Sequence, residues 1–264
     1  MVQEDRRTPR TPRPPRKRKG FSEALGLRRA YENAETKDYP QLPVTIIDPA
    51  GAASEAYRTL RTNLLYARVD SPPKTIVVTS PGPGEGKSTT CANLAVVLAQ
   101  ANKSILIMDC DFRKPVLHKL FGLRNIHGVV DVLVGEHGLP EIWQEPLPGL
   151  KAVTSGPIPP NPAELLGSRR FAELIEQARE EFDYVLIDSP PTEAVSDAMI
   201  ASTQTDGVLL VLDAQNTRKG VLWQAMRNLE AVGATVLGTV MNNFSQGAKG
   251  KYYYANTYGE GYGR

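Results

Sequence analysis

Residues 75–99, TIVVTSPGPGEGKSTTCANLAVVLA, constrain how this chain can fold more than any other stretch. Thr75-Ile76-Val77-Val78-Thr79 is β-branched and almost continuously apolar, the composition of a strand covered on both faces in a parallel sheet. Gly82, Gly84 and Gly86 follow within five residues. Without a Cβ they let the backbone curl and turn successive N–H groups inward, forming an anion-binding concavity. Lys87-Ser88-Thr89 then opens a helix whose positive end faces the same concavity. In a loop of this kind the backbone of residues 82–89 (Gly82, Pro83, Gly84, Glu85, Gly86, Lys87, Ser88, Thr89) surrounds phosphates, with N–H donors from all but the proline. The lysine ammonium reaches the β and γ oxygens, and the Ser88 hydroxyl ligates Mg2+. Pro81 stands where the strictest form of the pattern has glycine, so support is needed from elsewhere in the chain.

That support comes from acids at the ends of later strands. Residues 104–109, SILIMD, read as a second strand running into Cys110-Asp111-Phe112-Arg113-Lys114-Pro115. Asp109 and Asp111 fall at the carboxyl end of that strand, where open α/β sheets bind ligands, and paired acids there suit a divalent cation and a proton acceptor. Residues 184–188, YVLID, form a third apolar strand ending in Asp188, the place of a Mg2+ partner in phosphate-loop proteins. Strands are also expected at 150–154, 207–212 and 235–242, the last two buried, with helices at 88–101, 130–134, 169–180 and 219–231. A further helix is capped through Asn161, Pro162 or Ala163. The alternation predicts an α/β fold: three layers, α/β/α, around a doubly wound, mostly parallel sheet. Residues 39–49 read as extended. Residues 53–69 predict a helix with Ser54 as N-cap and Leu60, Leu64 and Leu65 as its apolar stripe. Glu55, Arg58 and Arg61 share one side of that helix, a charged strip that periodicity alone makes a solvated face.

The ends of the chain differ from this body. Of 264 residues with net charge +2, the first twenty hold eight Lys/Arg against Glu4 and Asp5, a local +6 that leaves the remainder at −4. With Pro9, Pro12, Pro14 and Pro15 and hardly an apolar residue, this arm is expected to be largely disordered over 1–40, with a short amphipathic helix possible within 21–35. Its charge suits anionic lipid or an acidic partner; nucleic acid binding lacks aromatic or motif support. At the other end, half of the ten tyrosines (Tyr252, Tyr253, Tyr254, Tyr258 and Tyr262) crowd into the last thirteen residues among glycines. Residues 244–264 are therefore expected to be a flexible tail whose phenols can reach an active site, after a body spanning 41–243. No apolar run approaches the ~20 residues that span a membrane, and the charged N-terminus lacks a signal-peptide core. The expectation is a cytoplasmic protein whose two cysteines, Cys91 and Cys110, are reduced and buried.

Taken together, these parts resemble the bacterial tyrosine autokinases of the capsule and exopolysaccharide type, on a P-loop NTPase fold of the MinD/ParA kind. SPGPGEGKST stands as Walker A, ILIMDCD as Walker A′ and YVLIDSPP as Walker B. EAYRTLRTN resembles the family's Glu-x-x-Arg-x-x-Arg subunit-contact motif, and SGPIPPNPAELL and the tyrosine-rich terminus are family features too. The likeness covers roughly residues 45–264. It implies a kinase in split form, separate from a transmembrane polysaccharide co-polymerase adaptor and held through it at the inner face of the plasma membrane.

By position, the resemblance implies that Lys87 and the loop amides hold ATP. Ser88, Asp188 and Asp111 hold Mg2+, Asp109 accepts or orients the phenol proton, and Asn242 contacts adenine. Glu55, Arg58 and Arg61 would join copies into a ring, by resemblance an octamer. The tail tyrosines would be phosphorylated in trans, and a tyrosine phosphatase would reverse the reaction. The competing reading is a partitioning or positioning ATPase of MinD/ParA type. Those proteins carry a signature lysine near the start of the loop, where this chain has Gly82. A scaffold with a decayed nucleotide site is disfavoured by the presence of Lys87, Ser88, Asp109, Asp111 and Asp188 together.

Overall fold

The computed structural model describes residues 42–68 and 71–244. The basic arm, its short helix and the five tail tyrosines lie outside the described residues. Seven strands form one sheet: β1 (Thr75–Thr79), β2 (Ile105–Asp109), β3 (Gln144–Leu147), β4 (Leu150–Val153), β5 (Tyr184–Asp188), β6 (Gly207–Asp213) and β7 (Val236–Asn242). Their order is β3-β4-β2-β5-β1-β6-β7, with every pair parallel except β3 with β4. Ten helices accompany them among the described residues: α1 (Val44–Ile47), α2 (Ala52–Tyr66), α3 (Lys87–Gln100), α4 (Leu117–Phe121), α5 (Val129–Val134), α6 (Leu139–Ile142), α7 (Pro162–Leu166), α8 (Arg169–Glu181), α9 (Asp197–Ser202) and α10 (Lys219–Ala231).

The strand pleat sends alternate side chains to two cores. Ile76, Val78, Ile105, Ile107 and Leu186 face α3, with Leu64 of α2 beyond it. Val77, Leu106, Met108, Val185 and Ile187 face the opposite way, against Phe171, Leu174 and Ile175 of α8. This is the expected three-layer, doubly wound arrangement. α3 is apolar nearly all round because it is roofed by α2, and ten of its fourteen residues are buried. α8 is an ordinary surface helix. It buries Phe171, Leu174, Ile175 and Ala178 at a spacing of three and four, and the Ser168 hydroxyl caps it by accepting the Phe171 N–H at 3.2 Å.

Four local expectations are corrected. Residues 42–49, the described part of the stretch read as extended, are not simply extended. Val44–Ile47 makes a helical turn that buries Thr45 and Ile46, and Thr45 donates both its N–H and its hydroxyl to Asn93 Oδ1 at 3.0 and 2.9 Å. Ser54 does not cap α2; Gly51 does, because the Asp48 carboxylate fills the space where a Cβ would stand, 2.0 Å from Oδ2. Ser54 sits inside the helix and donates its hydroxyl to the Asp48 carbonyl at 2.6 Å. Asn161 precedes α7, but its amide bonds Glu164 rather than the helix backbone. Finally, β7 is an edge strand and only half-buried, with Met241 58% exposed, whereas β6 is buried throughout. The antiparallel β3 at the other edge was not foreseen, since its four residues include a proline and a charge. No helix among the described residues is long and apolar enough to cross a membrane.

The contrast between layer and edge is measurable. Phe171→Ala empties a fully buried position and is expected to cost about 3–5 kcal/mol. Met241→Ala should stay within about 0.5 kcal/mol, because that side chain is already in water. Urea unfolding of both variants checks this; equal losses would place β7 inside the core.

Candidate active site

The candidate residues converge at the carboxyl ends of β1, β2 and β5. β1 ends at Thr79 and the chain turns through Ser80–Gly86 before α3 begins at Lys87. The loop is held from several sides. Ser80 Oγ donates to the Gly82 carbonyl at 2.7 Å, and Gly82 N donates to Glu85 Oε1 at 3.0 Å. Thr192 N and Glu193 N, just beyond β5, donate to the Ser80 and Pro81 carbonyls at 2.9 and 3.0 Å. Pro81 thus costs the loop nothing, since its carbonyl is what is used there. At Gly86 the backbone is left-handed, φ 92°, and a Cβ would lie 2.1 Å from the Asn242 amide nitrogen. Asn242, at the end of β7, donates that amide to the Glu85 carbonyl at 3.1 Å. It therefore braces the loop from behind.

Register sets the acids side by side. Asp109 is the last residue of β2 and Asp188 the last of β5, and the two are direct partners across the sheet. Both are fully buried. Asp111, two residues further on, lies above them and lines a cleft of about 480 Å³ with Lys87, Ser88, Thr89 and Arg113. The Lys87 ammonium donates to Asp111 Oδ2 at 2.8 Å and to Ser88 Oγ at 3.1 Å, and stands 3.5 Å from Asp188 Oδ1. Burial alone would depress the Lys87 pKa; Asp188 and Asp111 outweigh it and hold the ammonium above its ordinary value. Burial raises Asp188, with Lys87 and Ser88 pulling against it.

Asp109 is committed to its own loop. Oδ2 accepts the N–H groups of Val116 and Leu117 at 3.0 Å, and Oδ1 accepts Asp111 N at 3.3 Å. Burial first, then the charge of Asp188, lifts its pKa to about 8. So the acid with a proton affinity near neutrality lies beneath the cleft, while Asp111 has the access. The flanking thiols Cys91 and Cys110 are free and buried, as expected, and burial pushes both well up.

The oxygen set fits a hard divalent cation. Both Asp188 oxygens are buried and make no hydrogen bond of good geometry; the Lys87 ammonium at 3.5 Å and the Ser88 hydroxyl face them, with Asp111 alongside. An octahedral ion that keeps water and phosphate oxygens needs only one or two such carboxylates. On the far side of the loop a second cleft of about 440 Å³ is lined by Gly82, Pro83, Gly84, Glu85, Asp213 and Arg218. The Glu85 side chain turns into this side, and burial raises its pKa.

Sequence reasoning missed the walls of the first cleft. Arg113, half-exposed, donates to Asp197 on α9 through Nε at 3.0 Å, and Val116, Leu120, Pro190 and Pro191 supply apolar sides. Arg113 and Asp197 are too far apart in sequence for any spacing rule to pair them. The strip on α2 is partly used within the chain: Arg58 bonds Glu55 and the Pro49 carbonyl, and Arg61 donates to the Val97 carbonyl at 3.0 Å. The Glu55 carboxylate remains mostly in solvent.

The Asp109 pKa has a consequence for stability. The folded chain keeps a proton that an unfolded carboxyl, at its ordinary 3.8, has released, so stability is lost as pH rises from about 4 and the loss is complete above about 8. The slope is at most about 1.4 kcal/mol per pH unit. Urea unfolding with a chelator present, between pH 5 and pH 8 or so, should show this decline in the wild type and a flatter curve in Asp109→Asn.

Comparison with known proteins gives the family. The family model described as ParA, NUBPL iron-transfer P-loop NTPase, matches residues 72–263. The tyrosine-protein kinase YwqD of Bacillus subtilis (strain 168) is 41% identical over 215 residues, 81% of this chain and 91% of that protein. The kinase domain of the Escherichia coli tyrosine kinase ETK superposes with a TM-score of 0.75 at 32% identity, covering 82% of this chain and 85% of that one. The chimerical protein CapA2B2 gives 0.74 at 39% identity over 77% and 90%. A ParA-type sheet, a complete set of phosphate-loop residues and relatives of this closeness place the chain in one family: it belongs to the bacterial tyrosine-protein kinases, built on the P-loop NTPase fold.

Proposed function

We propose that this kinase transfers the γ-phosphoryl group of ATP to tyrosines of its own C-terminal segment, Tyr252, Tyr253, Tyr254, Tyr258 and Tyr262. We propose further that it works in the control of capsular or exopolysaccharide synthesis. The observation that carries the reading is the meeting of Lys87, Ser88, Asp111 and Asp188 at one cleft, with Asp109 directly beneath. Phosphoryl transfer asks mainly for positioning and charge neutralisation.

Each residue has a part in this. The loop amides between Gly82 and Thr89 receive the phosphates, and Lys87 moves from the carboxylates to the β and γ oxygens. Ser88, Asp111 and Asp188 would hold Mg2+, which supplies charge neutralisation to the phosphates. Asp111 meets the phenol at the cleft, and Asp109, which holds its own proton up to about pH 8 beneath it, orients the phenol by fixing the Asp111 backbone through the Asp111 N–H. Asn242 braces the loop on the side where the nucleoside would lie. The apolar cleft wall of Val116, Leu120, Pro190 and Pro191 suits an aromatic ring, and Arg113 suits its later phosphate.

Assembly and location complete the proposal. Copies meet through Glu55, Arg58 and Arg61 in a ring, and each tail enters a neighbour's cleft. A transmembrane adaptor holds the ring at the inner face of the membrane, with the basic arm adding affinity for anionic lipid, and a tyrosine phosphatase resets the tails.

Lys87→Met is expected to lower self-labelling by at least about a hundredfold with an unchanged circular dichroism spectrum. The same inactive protein, mixed with active protein, should become labelled at its tail tyrosines by mass spectrometry. Labelling confined to the active chains would mean modification in cis. Replacing Glu55, Arg58 and Arg61 together by Ala should yield monomers by light scattering. An unchanged mass would remove the strip from the assembly.

A further inference from the structure

Away from the kinase cleft, two of the chain's three histidines meet a buried carboxylate. His127 precedes α5, Asp131 lies in its first turn, and His137 follows it. The turn after α5 brings the last of these back. The Asp131 carbonyl accepts the N–H groups of Gly135, Glu136 and His137 at 3.1, 2.9 and 3.4 Å. As a result one ligand atom from each of His127, Asp131 and His137 lies within 4.8 Å of the others. The two imidazole rings sit edge to face with centroids 4.6 Å apart.

We propose that His127, Asp131 and His137 form a binding site for a divalent transition metal, Zn2+ in particular. Two imidazoles and one carboxylate are a donor set that suits Zn2+ and not Mg2+. The carboxylate is already aimed. Asp131 is 3% exposed, and its Oδ2 is spent on Gly128 N at 2.7 Å, which leaves Oδ1 toward His127. His127 Nδ1 stands 3.3 Å from Oδ1, and two ligands of a tetrahedral Zn2+ with bonds of ~2.0–2.1 Å are about 3.3 Å apart. His137 has a carboxylate behind it, Glu141 Oε2 at 3.2 Å from Nδ1, as imidazoles at metal sites commonly do.

Capping alone does not account for this cluster. The Asp131 carboxylate needs only Gly128 N to close the start of α5, and no cap calls for a second imidazole from beyond the helix end. With the protein supplying three ligands, the half-exposed rings leave a fourth position to water. The ion would tie the turn at residue 127 to the turn at residue 137. The first of these is bound to the end of β4, since Val129 N and Val130 N donate to the Thr154 and Ser155 carbonyls at 2.8 and 3.0 Å. The metal would therefore act as a clip on the segment that leads away from the Asp111 loop.

The test uses full-length untagged protein, since a histidine tag would compete, with Mg2+ in excess to occupy the kinase carboxylates. Zn2+ is titrated against a chromophoric chelator, and Co2+ serves as a spectroscopic probe. The wild type should bind one equivalent of Zn2+, and its Co2+ form should show the intense visible bands of tetrahedral coordination. His127→Gln and His137→Gln should each weaken binding by about tenfold or more, and His118→Gln, at the remaining histidine, should leave it unchanged. Both positions are partly exposed, so circular dichroism should be the same for all variants. Absence of a stoichiometric site in the wild type, or a site that survives the double His127→Gln/His137→Gln change, would overturn the proposal. Kinase activity is not the readout, so a failure of metal binding and a failure of the kinase assignment are told apart.

Discussion

Three carboxylates share one ammonium at the carboxyl ends of the fully buried central strands. Asp109 and Asp188 are side by side by strand register, Asp111 is two residues away, and Lys87 is the cation among them. Bringing charge of one sign into an apolar interior is costly unless it is paired, protonated or bound to a cation. This chain uses two of those three answers within its own atoms. Lys87 bonds Asp111, and Asp109 leans toward its protonated form under burial and the charge of Asp188. The negative charge that remains suits a hard divalent cation. The rest of the architecture keeps these groups from relaxing apart. α2 roofs α3, α3 holds Lys87 and Ser88, and Asn242 and the 192–193 backbone hold the loop between them.

Most of this arrangement was legible in the linear order of residues. A buried strand announces itself by being β-branched and apolar throughout, and β1, β2, β5 and β6 do so. An acid at the end of each of two such strands is visible as well. Sequence cannot say that the strands are neighbours in register, and it is the register that places Asp109 against Asp188. Nor could it say which acid faces the cleft. That depends on backbone amides at Val116 and Leu117 turning back onto Asp109, a contact made by loop path rather than by residue type.

The failures share a physical origin in tertiary context. Ser54 has the composition of a helix cap, but Gly51 holds that position and Ser54 lies inside α2 with its hydroxyl on the Asp48 carbonyl. β7 has the composition of a buried strand, yet it lies last in the sheet, and position in the sheet order decides exposure. Residues 44–47 lack helical periodicity and curl because Asn93 on α3 offers an acceptor to both donors of Thr45. In each case a residue distant in sequence changed the local outcome.

The two thiols beside the acids give the molecule a property of another kind. Cys91 lies on α3 and Cys110 between Asp109 and Asp111, each sealed from solvent. Burial comes first in keeping both sulfurs protonated, and the neighbouring carboxylates reinforce it, with Lys87 pulling the other way at Cys91. A thiol in that state is a poor nucleophile toward peroxide or alkylating agents. The same carboxylate cluster thereby keeps these two sulfurs slow toward oxidants. An electrophile can reach these sulfurs only when the sheet end itself opens, so the sulfurs act as a built-in clock of native-state breathing.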